Sequence, residues 1–199
     1  MLQFRAEQLG SAILELQYSN FCGVAHVETL SHALDLKYSR ILVFSNGEIT
    51  YGGLHLPEPN DISQRLGQHF KLQIMHAALQ LASKKVKDQS SIRQYLDLYV
   101  RLDLFNWQDV ETFMRNQIIL TLEQLLPHAG TIKLNTSILI DLAYGEDSHG
   151  FTWEQLKYDI AQRQRVWTSL SPAITSINAI PRRVEGIQQP VTDPWVQQH

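Results

Sequence analysis

"ILVFSNGEITYGG", residues 41–53, joins two strand-forming apolar runs through Asn46-Gly47 and ends in a glycine pair. Asn-Gly tolerates the positive φ angles of a type I′ turn, so this stretch predicts a β-hairpin. Gly52-Gly53 is followed neither directly by a helix nor by a G-x-x-x-x-G-K pattern, which argues against a phosphate-binding loop. We therefore expect the glycine pair to bend or bulge the end of the second strand.

A two-residue turn fixes which residues of the hairpin face each other. The predicted cross-strand pairs are Phe44 with Ile49, Leu42 with Tyr51, Val43 with Thr50, and Ile41 with Gly52. Both faces of the hairpin are then largely apolar, and we expect the rest of the chain to cover both.

The segments around the hairpin predict an α+β fold. Period-two alternation over 21–30 and a short run over 131–135 predict two further strands. Apolar residues at helical spacing predict helices over 6–16, from 62, and over 72–82, 92–99, 110–125 and 153–167. This order predicts a small antiparallel sheet of about four strands, packed with a helical lobe of about five to six helices.

The same patterns predict the organisation of the chain as one unit with three parts. Residues 1–60 form the sheet part, residues 61–170 the helical lobe with its returning strand, and residues 171–199 a Pro-containing tail. A polar linker is expected over 31–39, and the apolar stretch 137–144 is ambiguous between helix and strand.

Three helix starts carry capping signals. Asn60-Asp61 precedes the helix expected near residue 62, where its side-chain oxygens can accept free backbone amides. Asn106 with Asp109, and Thr152 with Gln155, have the spacing of a capping box.

Composition argues against several classes of function. The 199 residues carry a net charge of −3, which gives no general attraction to nucleic acid. No apolar stretch approaches the roughly 20 residues that cross a bilayer, so we expect no membrane insertion. A single cysteine, Cys22, and the absence of a signal-peptide pattern favour a cytoplasmic protein.

The candidate catalytic residues are few. Asp147-Ser148-His149 has the residue types of a hydrolytic triad, but consecutive residues cannot adopt the relay geometry. A small hydrolase that uses His149, His55 or a nearby carboxylate remains an alternative, and a capped polar turn is the simpler interpretation. From the residues we expect no catalytic, cofactor-binding or metal site.

A metal site and a DNA-binding helix pair are two hypotheses that rest on residue spacing. His69 and His76 are seven residues apart and can share a helical face, but no H-x-x-x-H or C-x-x-C pair supports a metal site. Residues 92–135, read as helix, turn, helix and strand, are compatible with a winged-helix DNA-binding regulator. The second helix offers only Arg115 as a cation, and its acidic residues would repel phosphates.

Arginine and tryptophan near the C-terminus form the candidate partner surface. Arg163 and Arg165 lie on the last helix, and Arg182, Arg183 and Trp195 lie in the tail. Arg and Trp are enriched at binding hot spots, so the sequence predicts partner binding through Arg182, Arg183 and Trp195. A homo-oligomer is compatible with the same patterns.

The order of motifs resembles the PATAN domain of cyanobacteria. An amphipathic helix is followed by "FCGVAHVE" (21–28) and "RILVFSNGEITYGGLH" (40–55), where Gly23, Phe44, Gly47, Gly53 and His55 occupy the family's positions. The similarity continues through a helix pair over 95–126, "GTIKL" (130–134), and "WTSLSPAITSINAIPRR" (167–183). Where family members often have His-Pro and a helix rich in Arg and Trp, this chain has "HLPEPNDISQRLGQHF" (55–70).

This resemblance implies a non-enzymatic signal-transduction adaptor that acts by protein–protein interaction. PATAN domains are typically joined to the receiver domain of a two-component response regulator, and they act in phototaxis through type IV pili or in cell patterning. The partners implied are the pilus extension ATPase and receiver-domain regulators. The 199 residues contain no receiver domain.

Overall fold

The computed structural model describes residues 2–31 and 36–170. These residues form five strands and six helices, which confirms the predicted α+β class with one strand more than expected. The strands are β1 (Leu2–Phe4), β2 (Gly23–Ser31), β3 (Leu36–Ser45), β4 (Glu48–Gly53) and β5 (Ala129–Asn135). The helices are α1 (Leu9–Tyr18), α2 (Pro59–His69), α3 (Met75–Lys85), α4 (Ile92–Arg101), α5 (Trp107–Leu125) and α6 (Trp153–Leu170).

The strands form one antiparallel sheet in the order β1-β5-β2-β3-β4. The unpredicted strand, β1, has only three residues, which is too short to show the alternation that marks a strand. β3 begins inside the stretch predicted as a polar linker, because its polar first half pairs with β2, as in Tyr38 opposite Thr29. Residues 137–143 form neither helix nor strand.

The β3–β4 hairpin turns at Asn46-Gly47 as predicted, with φ angles of 50° and 80°. Phe44 pairs with Ile49 as expected, but the other three predicted pairs are wrong because a β-bulge inserts Thr50 as an extra residue. The observed pairs beyond the bulge are Val43 with Tyr51, Leu42 with Gly52, and Ile41 with Gly53. The bulge therefore lies two residues before the glycine pair and reverses the face of every later residue of β4.

This reversal places Gly52 beneath α5, the longest helix. A Cβ atom on Gly52 would lie 3.1 Å from Cβ of Thr121 and 3.2 Å from Cα of Ile118. α5 buries eight side chains and packs most extensively against β4. Leu42, Phe44 and Tyr51 are all buried, which confirms that both faces of the hairpin are covered.

Helix starts agree with the sequence at two of three positions. The Asn106 side chain accepts from the backbone of Asp109, and the Asp109 carboxylate accepts from Asn106, so the predicted capping box forms. Thr152 and Gln155 make the same reciprocal contacts. The capping role predicted for Asn60-Asp61 is wrong, because α2 begins earlier, with Pro59 at its first position and Glu58 as the N-cap.

The chain divides into two compact units, residues 1–162 and residues 163–199. The first contains the sheet and α1 to α5, and α6 begins in it with three buried side chains, Trp153, Leu156 and Ile160. In the second, the structure describes residues 163–170, the last two turns of α6. Among the described helices, none is both long enough and apolar enough to span a bilayer.

A buried tyrosine holds the bulge in place. The Tyr144 hydroxyl donates a hydrogen bond to the backbone carbonyl of Thr50. On the same edge, Ile49 and Phe151 exchange two backbone hydrogen bonds of 2.9 Å each. The segment before α6 is thereby attached to the outer edge of β4.

Tyr144→Phe tests this attachment. The substitution removes one hydroxyl from a fully buried ring and leaves the Thr50 carbonyl without that donor, which we expect to cost about 1–3 kcal/mol of unfolding free energy. Urea denaturation of the parent chain and the variant measures this difference in unfolding free energy. Tyr158→Phe is the matched control, since Tyr158 is 64% exposed and should change stability by less than about 0.5 kcal/mol. Equal stability of the two variants would contradict a structural role for the Tyr144 hydroxyl.

Candidate functional site

His149 lies between two carboxylates in the turn that precedes α6. Its Nδ1 is 2.6 Å from the Asp147 carboxylate, and its Nε2 is 3.7 Å from the Glu111 carboxylate of α5. Backbone hydrogen bonds between Tyr144 and His149 close the turn. The hydrogen bond with His149 is the main cause that lowers the pKa of Asp147. These contacts join the turn to α5.

A hydrolytic relay would require a nucleophile at one nitrogen of this imidazole. Both nitrogens face carboxylates, and in the described part of the chain the Ser148 hydroxyl makes no hydrogen bond to the ring. His55 is exposed on the segment after β4 and makes no described contact with His149. The arrangement therefore supports the capped-turn interpretation over the hydrolase.

The two histidines considered as metal ligands have separate neighbours. The His69 ring packs edge-to-face against Phe70 and at a tilt against Phe113, with its centroid 4.8 and 4.9 Å from theirs. His76 contacts Gln80 one turn further along α3. Over residues 2–31 and 36–170, no three His, Cys, Asp or Glu side chains are grouped as metal ligands.

The elements predicted for a winged helix are part of the central fold. α5 crosses the sheet with its buried side chains, and β5 pairs with both β1 and β2. Arg115, the cation considered for phosphate contact, forms an ion pair with Asp159 of α6. This packing gives no support to α5 as a recognition helix.

Three charged side chains share the face of β2, β3 and β5. Glu28 lies 3.1 Å from Lys37 and 3.4 Å from Lys133. Hydrogen bonds from these lysines lower the pKa of Glu28. Because the three groups satisfy one another on the open surface, they form a cross-strand ion-pair network and no reactive centre.

The predicted partner residues Arg182, Arg183 and Trp195 lie outside the described residues. Arg163 and Arg165 lie in the last two turns of α6.

A groove of about 520 Å³ lies between the segment after β4 and the loop before α4. Its apolar wall consists of Leu56, Pro57, Pro59, Tyr95 and Ile140, and its polar side of Glu58, Asn60, Ser83, Gln89 and Ser90. Among the described residues, the titratable groups of this lining are the Glu58 carboxylate and the Tyr95 phenol. The groove has the mixed apolar and polar lining of a binding cleft.

A second groove, the β4–α5 groove, lies where β4 ends beside α5. It measures about 220 Å³, and its lining residues are Arg40, Gly52, Gly53, Leu54, Arg65, Gln117, Leu120, Thr121 and Gln124. Leu54 is 56% exposed and Leu120 is 39% exposed. Sequence patterns did not predict this site. The glycine pair predicted a bend or bulge at the strand end, but not that α5 would pack on it.

The two arginines of the β4–α5 groove are held by uncharged groups. Arg40 donates to the Gln124 side chain at 2.9 and 2.7 Å and to the Ser39 carbonyl at 2.8 Å. Burial raises the pKa of Tyr51, the positive charge of Arg65 offsets part of that rise, and the charge of Asp61 adds to it. The position of the Arg40 guanidinium is therefore restrained by uncharged acceptors.

Two tyrosines of the protein interior also have raised pKa values. Burial raises the pKa of Tyr99 to about 12, and its hydroxyl lies 2.9 Å from the Ser63 hydroxyl in the interior. Burial also raises the pKa of Tyr144. Both groups remain protonated at neutral pH and act as structural hydrogen-bonding groups.

Comparison of the chain with models of protein families, with curated proteins and with solved structures finds no match.

The His149–Asp147 contact predicts a specific titration. In His149→Gln the pKa of Asp147 should return toward the ordinary aspartate value of 3.8, because the hydrogen bond that lowers it is lost. NMR titration of the side-chain carboxyl carbon measures the change. Glu146→Gln, which alters the neighbouring acid, is the control and should leave the Asp147 titration unchanged.

The lowered pKa of Asp147 makes the stability of the folded protein depend on pH. A lowered folded-state pKa stabilises the protein above the unfolded value and loses that effect as pH falls through the folded value. The parent chain should therefore lose more stability than His149→Gln below about pH 4. If the stability of the two proteins falls equally as the pH is lowered, the contact between His149 and Asp147 does not form in solution.

Proposed function

We propose that this chain is a non-enzymatic signal-transduction adaptor that acts by protein–protein interaction, as a PATAN-like module. The proposal rests first on the sequence resemblance. Gly47, one of the residues that carry it, occupies the hairpin turn, and Gly23 lies at the start of β2 with a φ of 140°. Positive φ at both positions gives a physical reason for glycine there.

The observation that carries the proposal is the composition of the β4–α5 groove. Its lining offers two guanidinium groups, two amides and exposed aliphatic side chains, but within the described residues it includes neither a carboxylate nor an imidazole. These groups can bind a partner by burial of apolar surface and by charge-assisted hydrogen bonds. They provide neither a general base nor an activated nucleophile.

The titratable groups elsewhere support the same interpretation. Asp147 with His149, Glu28 with its lysines, and Tyr99 with Ser63 each satisfy one another at a different place in the fold. An active site needs such groups to converge on one cavity with a free reactive atom. In the described part of the chain the groups form separate structural contacts.

The function we propose follows from these features and from the resemblance. The chain acts in the cytoplasm within a two-component pathway, and its output is a contact with the extension ATPase of type IV pili or with a receiver-domain regulator. Phototaxis by type IV pili and cell patterning are the corresponding processes.

Direct binding with purified components tests this proposal. The chain is titrated, by biolayer interferometry, against an immobilised cyanobacterial pilus extension ATPase and against receiver domains in phosphorylated and unphosphorylated form. We expect saturable binding to at least one of them with a dissociation constant below about 100 µM, which corresponds to about −5.5 kcal/mol. An unrelated hexameric ATPase is the control.

Two results would contradict the adaptor. One is the absence of saturable binding to every candidate at about 100 µM. The other is binding to the unrelated ATPase with the same affinity, which would show non-specific association.

A further inference from the structure

The glycine pair and the bulge together create the floor of the β4–α5 groove. On Gly52 a side chain would meet Thr121 of α5, and on Gly53 a Cβ atom would lie 2.3 Å from the Tyr51 hydroxyl. A side chain on Gly53 would therefore clash with the Tyr51 ring, and one on Gly52 would require Thr121 or the backbone of α5 to shift by a few tenths of an ångström. The floor is backbone, and the walls are the exposed side chains of Leu54 and Leu120.

The charge of the groove differs from that of the whole chain. Arg40 and Arg65 line it, and within the described residues neither forms an ion pair with a carboxylate. Arg93 and Arg115, in contrast, are paired with Asp97 and Asp159. The acid nearest in sequence is Asp61, one helical turn before Arg65, and it does not line the groove. In a chain of net charge −3, the groove therefore carries two guanidinium groups that form no ion pair among the described residues, and Asp61 is the nearby carboxylate whose charge also acts on Tyr51.

The size of the groove limits what it can accept. At about 220 Å³ it is smaller than the roughly 300–1,000 Å³ typical of sites for drug-sized ligands and cofactors. It is open to solvent at the end of an edge strand, where an extended peptide can approach. Gln117 and Gln124 supply amide groups beside the apolar walls. A single aliphatic side chain with flanking polar groups fits this description better than a compact metabolite does.

We propose that the β4–α5 groove binds a short acidic segment of a partner protein. An aliphatic side chain of that segment lies between Leu54 and Leu120, and its neighbouring carboxylates pair with Arg40 and Arg65. The inference deepens the proposed adaptor function by naming the surface and the chemistry of the partner, and it rests on that function. Charge complementarity selects an acidic segment, because carboxylates pair with guanidinium groups in a bidentate geometry.

Synthetic peptides test the proposed chemistry with the full chain. Three fluorescent hexapeptides are compared by anisotropy: two central leucines flanked by aspartates, the same peptide with serines for leucines, and the same peptide with lysines for aspartates. We expect the aspartate–leucine peptide to bind about tenfold more tightly than the serine and lysine peptides, with weaker binding at high salt.

Substitutions then locate the site. Arg40→Gln and Arg65→Gln should each weaken the aspartate–leucine peptide about five- to tenfold, because each removes a charge-assisted hydrogen bond. Arg101→Gln is the matched control, an exposed arginine on α4 that does not line this groove. Leu120→Ser, on the surface of α5, should weaken the leucine peptide and leave the serine peptide unchanged. Circular dichroism verifies the fold of each variant.

Several results would overturn the proposal. The first is that the three peptides bind with equal affinity. The second is that Arg101→Gln weakens binding of the aspartate–leucine peptide as much as the groove variants do. The third is that Arg40→Gln and Arg65→Gln both leave the affinity for this peptide unchanged. A fourth result comes from light scattering. If the parent chain is a dimer and Arg40→Gln or Arg65→Gln dissociates it, this face is a contact between two copies of the chain. Competition by 10 mM inorganic phosphate equal to that by the peptide would indicate a general anion site.

The same variants separate this inference from the adaptor function. If a pilus ATPase or receiver domain binds the parent chain and the Arg40→Gln/Arg65→Gln variant equally, the adaptor function stands and the groove is not its surface. If the aspartate–leucine peptide binds at the groove and no candidate protein binds the chain, the groove is supported as a peptide-binding site and the candidate partners are rejected.

Discussion

The one-residue bulge at Thr50 is the constraint on which the rest of the sheet edge depends. Without it, Tyr51 would oppose Leu42 on the face that α5 covers. With it, Gly52 takes that position, and the helix comes within 3.2 Å of where a side chain would begin. Tyr51 instead shares the opposite face with Val43 and lies beside Arg65. The one-residue shift in register thus places a glycine, instead of the large ring of Tyr51, where the helix crosses the sheet.

The bulge is maintained by contacts that come from far along the chain. The buried Tyr144 hydroxyl donates to Thr50 and thereby satisfies a carbonyl outside the β3–β4 pairing. Phe151 extends the same edge by its backbone bonds to Ile49. His149 then links this segment to Glu111 of α5. The turn before α6 therefore connects β4, which carries the bulge, to α5, which packs on β4. The β4–α5 groove lies beyond these contacts, past Gly52.

Local signals in the sequence were sufficient for the helices and for four of the five described strands, but insufficient for the register of the strands. Asn46-Gly47 and the capping boxes were predictable because turn and cap preferences act over a few residues. The position of the bulge was not, since Thr50 resembles any strand residue and the Tyr144 hydroxyl that donates to its carbonyl comes from 94 positions away. The groove was missed for the same reason, because Arg40, Arg65 and Leu120 come together only after α2 and α5 meet β4. The predicted surface at Arg182, Arg183 and Trp195 lies in the part of the chain that is not described.

The location of the partner contact on the chain is the most direct test of the proposed binding surface. Backbone NMR spectra of the ¹⁵N-labelled protein are recorded while an unlabelled pilus extension ATPase fragment or the aspartate–leucine peptide is added. We predict the largest shift changes at Gly52, Gly53, Leu54 and Leu120, with the side-chain Nε signal of Arg40 changing in parallel. Changes centred on the 520 Å³ groove around Tyr95, with the β4–α5 groove unaffected, would contradict this prediction.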